Sequence, residues 1–156
     1  IVRRVVRMAI EDVGLADPRA LQMAIEAWDT YDRLGSPEGE LALAQLVIYL
    51  ASTAKSNAGY LAFGAAKRDV REYGTQDVPM HLRNAPTKLM KQLGYGTGYQ
   101  YDHDADGGIA LDQTAFPDAM GERTYYEPVE RGLEIKLKEK LDRLRAARKA
   151  ARGQKP

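Results

Sequence analysis

The residues best suited to chemistry lie in a short polar segment at positions 81–91. Residues 81–88 alone combine imidazole, guanidinium, amide, hydroxyl and ammonium groups beside the start of a predicted short helix. Such donors suit the recognition of a phosphate or a carboxylate group. The alternative is structural, because the same donors could hold an irregular segment against a helical body through buried hydrogen bonds. Both interpretations stay open at this point.

Tyrosines gather in the same half of the chain, between positions 95 and 126. Tyrosine rings among basic residues can stack on the bases of single-stranded nucleic acid. They can also pack a poorly periodic loop while their hydroxyl groups stay in water. If this region binds nucleic acid or a partner protein, the candidate residues are His81, Arg83, Asn84, Lys88, Lys91, Tyr95 and Tyr99.

The sequence lacks the residue patterns of a catalytic centre. It has no phosphate-binding loop ending in Gly-Lys-Ser or Gly-Lys-Thr, and the glycine-rich residues 94–99 indicate a turn, because no lysine or helix start follows in place. The histidine and carboxylates at 101–106 lack the spacing of a zinc or calcium site. There are no cysteines and no serine in a nucleophile-elbow context. We therefore assign no catalytic residue, metal or cofactor to this chain.

The composition is that of an ordinary globular domain. The 156 residues are 44% apolar and 29% charged, which is enough apolar material for one buried core. No apolar run approaches the roughly 18 residues that cross a bilayer, and no signal-peptide pattern opens the chain, so we expect a cytoplasmic protein without a membrane partner. Residues 136–156 carry nine basic and two acidic side chains, a net charge of +7, whereas the remainder carries 14 basic and 20 acidic, a net of −6. This basic tail indicates either a solvated helix end or a nucleic-acid contact.

Apolar spacing predicts four helices in residues 1–74, separated by short turns of Gly, Pro and Ser. The first helix ends at Gly14, and the second begins at Asp17 and Pro18, a cap followed by a proline that needs no hydrogen-bonded N–H. Connections this short favour antiparallel helix hairpins. In the second helix the spacing predicts a buried stripe of Leu21, Ala24, Ile25, Trp28 and Tyr31.

The third helix is apolar almost all round over residues 41–51. Such a helix is expected to be buried on more than one side. In so small a domain this indicates either a subunit interface or a central helix of the monomer core, and the pattern does not separate the two. The interface candidates are Leu41, Leu43, Leu46, Val47 and Leu50.

Helical periodicity is lost after Gly74 and returns only near the end of the chain. Residues 75–130 form an irregular segment, rich in Tyr and Gly, with one short helix at 87–93 and at most minor strand content. Leucines at 133, 137, 141 and 144 then mark a closing amphipathic helix. The expected fold is all-α. It is one domain over residues 1–156, with a helical bundle at 1–74, the irregular segment at 75–130, and the last helix and basic tail at 131–156.

Several sequence blocks, taken in their order and spacing, carry a family resemblance. They are residues 11–18 (EDVGLADP), 49–51 (YLA), 55–57 (KSN), 78–91 (VPMHLRNAPTKLMK), 94–96 (GYG), 101–104 (YDHD), 125–128 (YYEP) and 131–134 (RGLE). Together they resemble the C-terminal region of the replication-associated recombination protein A family. This is a bacterial family of AAA+ ATPases related to the Werner-helicase-interacting protein.

The resemblance implies a non-catalytic oligomerisation domain, similar to the helical collar that joins clamp-loader subunits. The longer protein would be a DNA-dependent ATPase that assembles as a homotetramer and acts at stalled forks in replication, recombination and repair. Its partners would be DNA and single-stranded-DNA-binding protein, and it would be associated with the nucleoid. ATP and Mg²⁺ would be bound upstream of Ile1, so no catalytic residue of the family transfers to this chain. The alternative is a nucleic-acid- or partner-binding module that acts through the basic and Tyr-rich surface.

Overall fold

The computed structural model describes residues 1–153 and confirms the all-α prediction. Within that range there are six α-helices and no strand. The predicted basic tail extends to Lys155 and Pro156, which lie outside the described residues. The helices are α1 (Val2–Met8), α2 (Arg19–Leu34), α3 (Glu40–Ser52), α4 (Ala58–Tyr73), α5 (Lys88–Gln92) and α6 (Glu134–Gly153).

The first helix changes its winding before it ends. Residues Ala9–Val13 continue α1 as a π-helical turn, in which the N–H of Gly14 binds the carbonyl of Ala9. Gly14 has a φ of 53°, a region that favours glycine. A Cβ at this position would lie 2.7 Å from the carbonyl oxygen of Ser56. The helix therefore ends at Gly14 as predicted. Any other residue at this position would collide with the backbone before α4.

Helix α2 begins where the sequence predicts. Asp17 is extended, with a φ of −148°, and its Oδ1 accepts a hydrogen bond of 3.3 Å from the N–H of Arg19. The predicted buried stripe is confirmed at Ala24 and wrong for three of its large side chains, while Tyr31 is half-buried. Leu21, Ile25 and Trp28 are 41%, 44% and 36% exposed. The side chains of α2 that are buried are those of Ala20, Ala24 and Ala27.

The size of alanine explains this rotation of the stripe. Side chains without atoms beyond Cβ allow the backbone of α2 to approach α1 and α3 closely, and the larger neighbours then point away. Ala20, Ala24 and Ala27 form one core with Val5, Ala9 and Val13 from the first helical segment and with Leu46 and Leu50 from α3. Spacing alone predicted that the large residues are buried, and burial of a large apolar side chain also contributes more transfer free energy than burial of alanine. Neither consideration includes the close approach of the neighbouring helices.

The chain divides into two compact units. The first comprises residues 1–66 and 125–140, and the second comprises residues 67–124 and the chain from 141 onward. These divisions cut across the predicted segments 1–74, 75–130 and 131–156. That the whole chain forms a single oligomerisation domain stays a prediction.

In the first unit, residues 125–140 are joined to the helical core by buried polar contacts. The N–H of Leu133 binds the carbonyl of Ala16 at 2.8 Å. The carboxylate of Glu134, which is fully buried at the start of α6, accepts hydrogen bonds from three donors. These are Ser56 Oγ at 2.8 Å, Tyr126 OH at 2.9 Å and the backbone N–H of Val129 at 2.8 Å.

In the second unit, side-chain hydrogen bonds hold segments that have little regular structure. Arg123 Nε donates to Asp69 Oδ2 at 3.1 Å, and its guanidinium lies 5.2 Å from the ring centroid of Tyr73. Arg152 donates to Glu122 at 2.8 Å. In these segments, such side-chain contacts take the place of the regular backbone hydrogen bonds that a helix or a sheet would provide.

Candidate assembly face and polar segment

Helix α3 carries apolar side chains on two opposite sides. Its inner side packs into the core of the first unit through Leu46 and Leu50. Its outer side, which we call the outer face of α3, is formed by Leu41, Ala44, Val47 and Ile48. Leu41, Val47 and Ile48 are 67%, 50% and 68% exposed. The helix is therefore part of the monomer core and also leaves an apolar surface exposed; that this surface is a subunit interface stays a prediction.

A groove runs along the outer face of α3. It has a volume of about 670 Å³. The lining is apolar apart from one carboxylate and one phenol, and consists of Ile1, Val2, Tyr31, Glu40, Leu43, Ala44, Val47 and Ile48. Grooves of this composition are typical of sites that take an apolar side chain or helix.

The five predicted interface residues separate into two groups. Leu46 and Leu50 are buried in the core, and Leu43 packs against it while also lining the groove. Leu41 and Val47 are exposed. Ile48 is as exposed as Leu41 but was not among the candidates, although its place four residues after Ala44 and seven after Leu41 could have indicated it.

A buried carboxylate fixes α3 against the start of α2. Asp17 accepts two hydrogen bonds of 2.9 Å from the guanidinium of Arg19. It also accepts from the hydroxyl groups of Tyr49 and Thr53, which lie near the end of α3. The bonds from Arg19, with those from Tyr49 and Thr53, hold the pKa of Asp17 well below its ordinary value against the opposing effect of burial. This network orients α3, and with it the outer face.

Two side chains of the polar segment at 81–91 contact residues elsewhere in the second unit. His81 Nε2 lies 2.8 Å from the carbonyl oxygen of Thr114. Arg83 Nε donates to the carbonyl of Val78 at 2.6 Å, and the Arg83 guanidinium lies 5.4 Å from the ring centroid of Tyr95. The structure thus brings Arg83 and Tyr95 together, in the manner expected if these donors hold an irregular segment in place.

The other candidates of this region lie at the surface. Asn84, Lys88, Lys91 and Tyr99 are exposed. The two lysines project from α5, whose start is capped by the Thr87 hydroxyl through a 3.2 Å hydrogen bond from the N–H of Met90. Lys88, Lys91 and Tyr99 therefore remain accessible to a partner, whereas His81 and Arg83 are partly buried.

Among residues 1–153, no group of three or more His, Cys, Asp or Glu side chains is arranged to hold a metal ion. In the same part of the chain, no helix combines the length and apolar character needed to cross a bilayer.

Comparison with known proteins identifies the family. A model of the family described as "MgsA AAA+ ATPase C terminal" matches residues 1–145. The chain belongs to this family. MgsA-type C-terminal domains are part of replication-associated recombination AAA+ ATPases, so the predicted resemblance is confirmed.

Individual relatives of the MgsA-type domain agree with this assignment. Replication-associated recombination protein A of Coxiella burnetii is 58% identical over 142 residues, which cover 91% of this chain and 32% of that protein. The protein of the same name from Escherichia coli K12 is 54% identical over 141 residues, 90% of this chain and 32% of that protein. ATPase WRNIP1 of Dictyostelium discoideum is 42% identical over 127 residues, 81% of this chain and 14% of that protein. The chain thus spans about a third of the length of these bacterial relatives.

Proposed function

We propose that this chain is the non-catalytic assembly domain of a AAA+ ATPase and holds its copies together as a homotetramer through the outer face of α3. The observation that carries the proposal is the two-sided apolar character of this helix. Leu46 and Leu50 supply buried core contacts of α3, whereas Leu41, Val47 and Ile48 lie outside that core and are at least half exposed. Exposed apolar patches of this kind mark protein interfaces.

The energetics favour a partner that is also apolar. Complete burial of a Val, Leu or Ile side chain contributes about 1.5–3 kcal/mol. In a twofold-symmetric contact the same side chains are buried on both copies, so each contribution counts twice. A second copy supplies a surface of matching composition, and the groove beside Ala44 gives the side chains of that copy a place to insert.

The test is the mass of this chain in solution, measured by light scattering after size exclusion across a dilution series. We expect a mass near four chains. Ile48→Glu places an unpaired charge in the interface, which costs several kcal/mol, and should weaken assembly by at least about a hundredfold. A monomeric wild-type chain at micromolar concentration would refute the proposal.

Val70→Glu is the matched control. Val70 is 67% exposed and Ile48 is 68% exposed, both are β-branched, and both lie in helices. The two substitutions therefore have similar effects on the monomer, which circular dichroism can verify. If Val70→Glu dissociates the assembly as strongly as Ile48→Glu does, the outer face of α3 is not the interface.

The proposal extends to the longer protein of which such domains are part. Its relatives carry names that refer to replication, recombination and AAA+ ATPases, which supports DNA as a partner and ATP with Mg²⁺ as the ligands of a separate ATPase region. Single-stranded-DNA-binding protein, a role in repair at stalled forks and a cytoplasmic, nucleoid-associated location belong to the same proposal. In this proposal the chain supplies the contacts that join the copies and supplies no catalytic residue.

The alternative, a nucleic-acid- or partner-binding module at the polar segment, stays a prediction. What supports it is the exposure of Lys88, Lys91 and Tyr99. It predicts that Lys88→Gln with Lys91→Gln weakens binding to single-stranded DNA and reduces the salt dependence of that binding. Binding that is unaffected by this double substitution would exclude the polar segment as the contact surface.

A further inference from the structure

Three arginines form a positive patch on the first helix, at a place that the sequence pattern did not single out. Arg3, Arg4 and Arg7 are all exposed. The side chains of Arg3 and Arg4 make no ion pair or hydrogen bond with any other residue in the range 1–153. Arg7 is engaged, since its Nε donates to Glu11 at 3.2 Å, but its side chain is still 55% exposed. We call these three residues the arginine patch.

Two shallow concavities border the arginine patch. One, of about 370 Å³, is lined by Ile1, Arg3, Arg4 and Arg7, so guanidinium groups are its only charged side chains. The other, of about 280 Å³, lies on the Arg4 and Arg7 side and is closed by Glu11 and Asp12. Like charges this close repel one another, and an anion placed between them would remove that repulsion.

We propose that the arginine patch binds the phosphate backbone of a nucleic-acid strand. A rise of 1.5 Å per residue separates Arg3 from Arg7 by about 6 Å along the helix, and a nucleic-acid strand carries one phosphate charge at every nucleotide, so the patch can contact two successive phosphates. The planar guanidinium group matches phosphate oxygens in a bidentate manner. No aromatic ring lines either concavity, which indicates contact with the backbone and no selection of base sequence.

A polynucleotide suits this patch better than an acidic peptide does. The strand presents its anions at a fixed, close spacing. An acidic peptide would have to order several flexible Glu side chains at once, at an entropic cost of up to about 2 kcal/mol for each. The proposal is independent of tetramer assembly and of the polar segment at 81–91.

Glu11 is an internal competitor for the bound phosphate. In the free chain its carboxylate already accepts hydrogen bonds from Arg7. A phosphate that binds Arg7 must displace this carboxylate or share the guanidinium with it. Glu11→Gln removes the competing charge and should therefore increase affinity.

The experiment measures binding of a fluorescein-labelled oligothymidylate to the whole chain by anisotropy, over a range of salt concentrations. Arg3→Gln with Arg4→Gln should lower affinity by about tenfold at low salt, and the slope of log affinity against log salt should decrease by about 1.4. Glu11→Gln should raise the affinity several-fold. Circular dichroism and light scattering of each variant ensure that neither unfolding nor a change in assembly causes the difference.

Arg33→Gln with Arg71→Gln is the matched control, because both arginines are exposed and the change in net charge is the same. This variant should keep the wild-type slope. An equal loss in the control, an unchanged affinity in the Arg3 and Arg4 variant, or no binding by the wild type would overturn the proposal. So would a loss confined to the Lys88 and Lys91 variant, or polyglutamate that binds the arginine patch as tightly as the oligonucleotide.

Discussion

The buried carboxylate of Glu134 should be one of the largest single contributions to the stability of this chain. Glu134→Ala would leave three donors without their acceptor: Ser56 Oγ, Tyr126 OH and the N–H of Val129. Ser56 is buried, whereas Tyr126 is partly exposed and can bind water instead. A hydrogen bond to a charged group is worth about 1.5–3 kcal/mol, and an unsatisfied buried donor costs about 1–3 kcal/mol. We therefore expect a loss of about 3–5 kcal/mol.

Glu134→Gln should cost much less than Glu134→Ala. The amide oxygen can occupy the position of Oε2 and still accept from Ser56 and Val129, while the amide N–H donates to Tyr126, whose hydroxyl can rotate to accept. What is lost is the negative charge at the first turn of α6, which the helix dipole favours by about 0.3–1 kcal/mol, and the strength that the charge gives the remaining bonds. A loss of about 1–2 kcal/mol is expected.

Urea unfolding followed by circular dichroism measures both changes. With slopes of about 1–3 kcal/mol per molar, Glu134→Ala should lower the midpoint by at least about 1 M. Glu130→Ala, at an exposed position in the same segment, is the control and should shift the midpoint little. If Glu134→Ala costs under about 1 kcal/mol, or no more than Glu134→Gln, the carboxylate does not hold this segment and the reasoning fails.

Three other substitutions test features of the first unit. The lowered pKa of Asp17 means that its stabilising contribution is complete above its unfolded pKa of about 4 and is lost as the pH falls from there through the lower pKa of the folded state. Because Arg19 is 75% exposed, solvent reduces the energy of its ion pair, and Asp17→Asn should cost about 1–2 kcal/mol at pH 7 and less than that at pH 3 in urea unfolding; an equal cost at both pH values would contradict this. Gly132→Ala should destabilise the chain by more than about 2 kcal/mol in thermal unfolding, because its φ is 54° and the new Cβ would lie 2.1 Å from the carbonyl oxygen of Ala16. Gly59 lies inside α4, and a new Cβ there would have nothing within 4 Å. Gly59→Ala should therefore stabilise the chain by about 0.5–1 kcal/mol. A similar loss of stability at both glycines would show that the close approach to Ala16 is unimportant.

Features that depend on neighbours in sequence were predicted well. The end of the first helical segment, α1 with its π-helical turn, at Gly14, the start of α2 after Asp17, and the two-sided apolar pattern of α3 all follow from spacing and capping. These signals are local, because they involve a helix and the few residues that flank it. The family assignment rests on the order and spacing of longer blocks and was confirmed as well.

Features that depend on distant residues could not be predicted from spacing. Ala24 and Ile25 both fit the apolar stripe of α2, and only the close approach of α1 and α3 buries the smaller one and exposes the larger. Glu134 has the sequence signature of a solvated first-turn carboxylate, but its donor Ser56 lies 78 positions away. Arg83 carries no signal that separates ligand binding from its contact with the carbonyl of Val78.

The π-helical turn at Ala9–Val13 limits which changes in chain length this fold can accept. Successive steps of four residues in an α-helix drift about 40° around the axis, and the wider π turn reverses most of this drift, so Val5, Ala9 and Val13 stay on one buried side. The π turn fits one more residue into a helical turn than α winding does, so deleting one residue there would restore α winding with little rotation of the chain that follows. The same deletion inside α2 would rotate all later residues by about 100°. We therefore expect homologous sequences to differ by one residue between Val5 and Gly14 more readily than within α2.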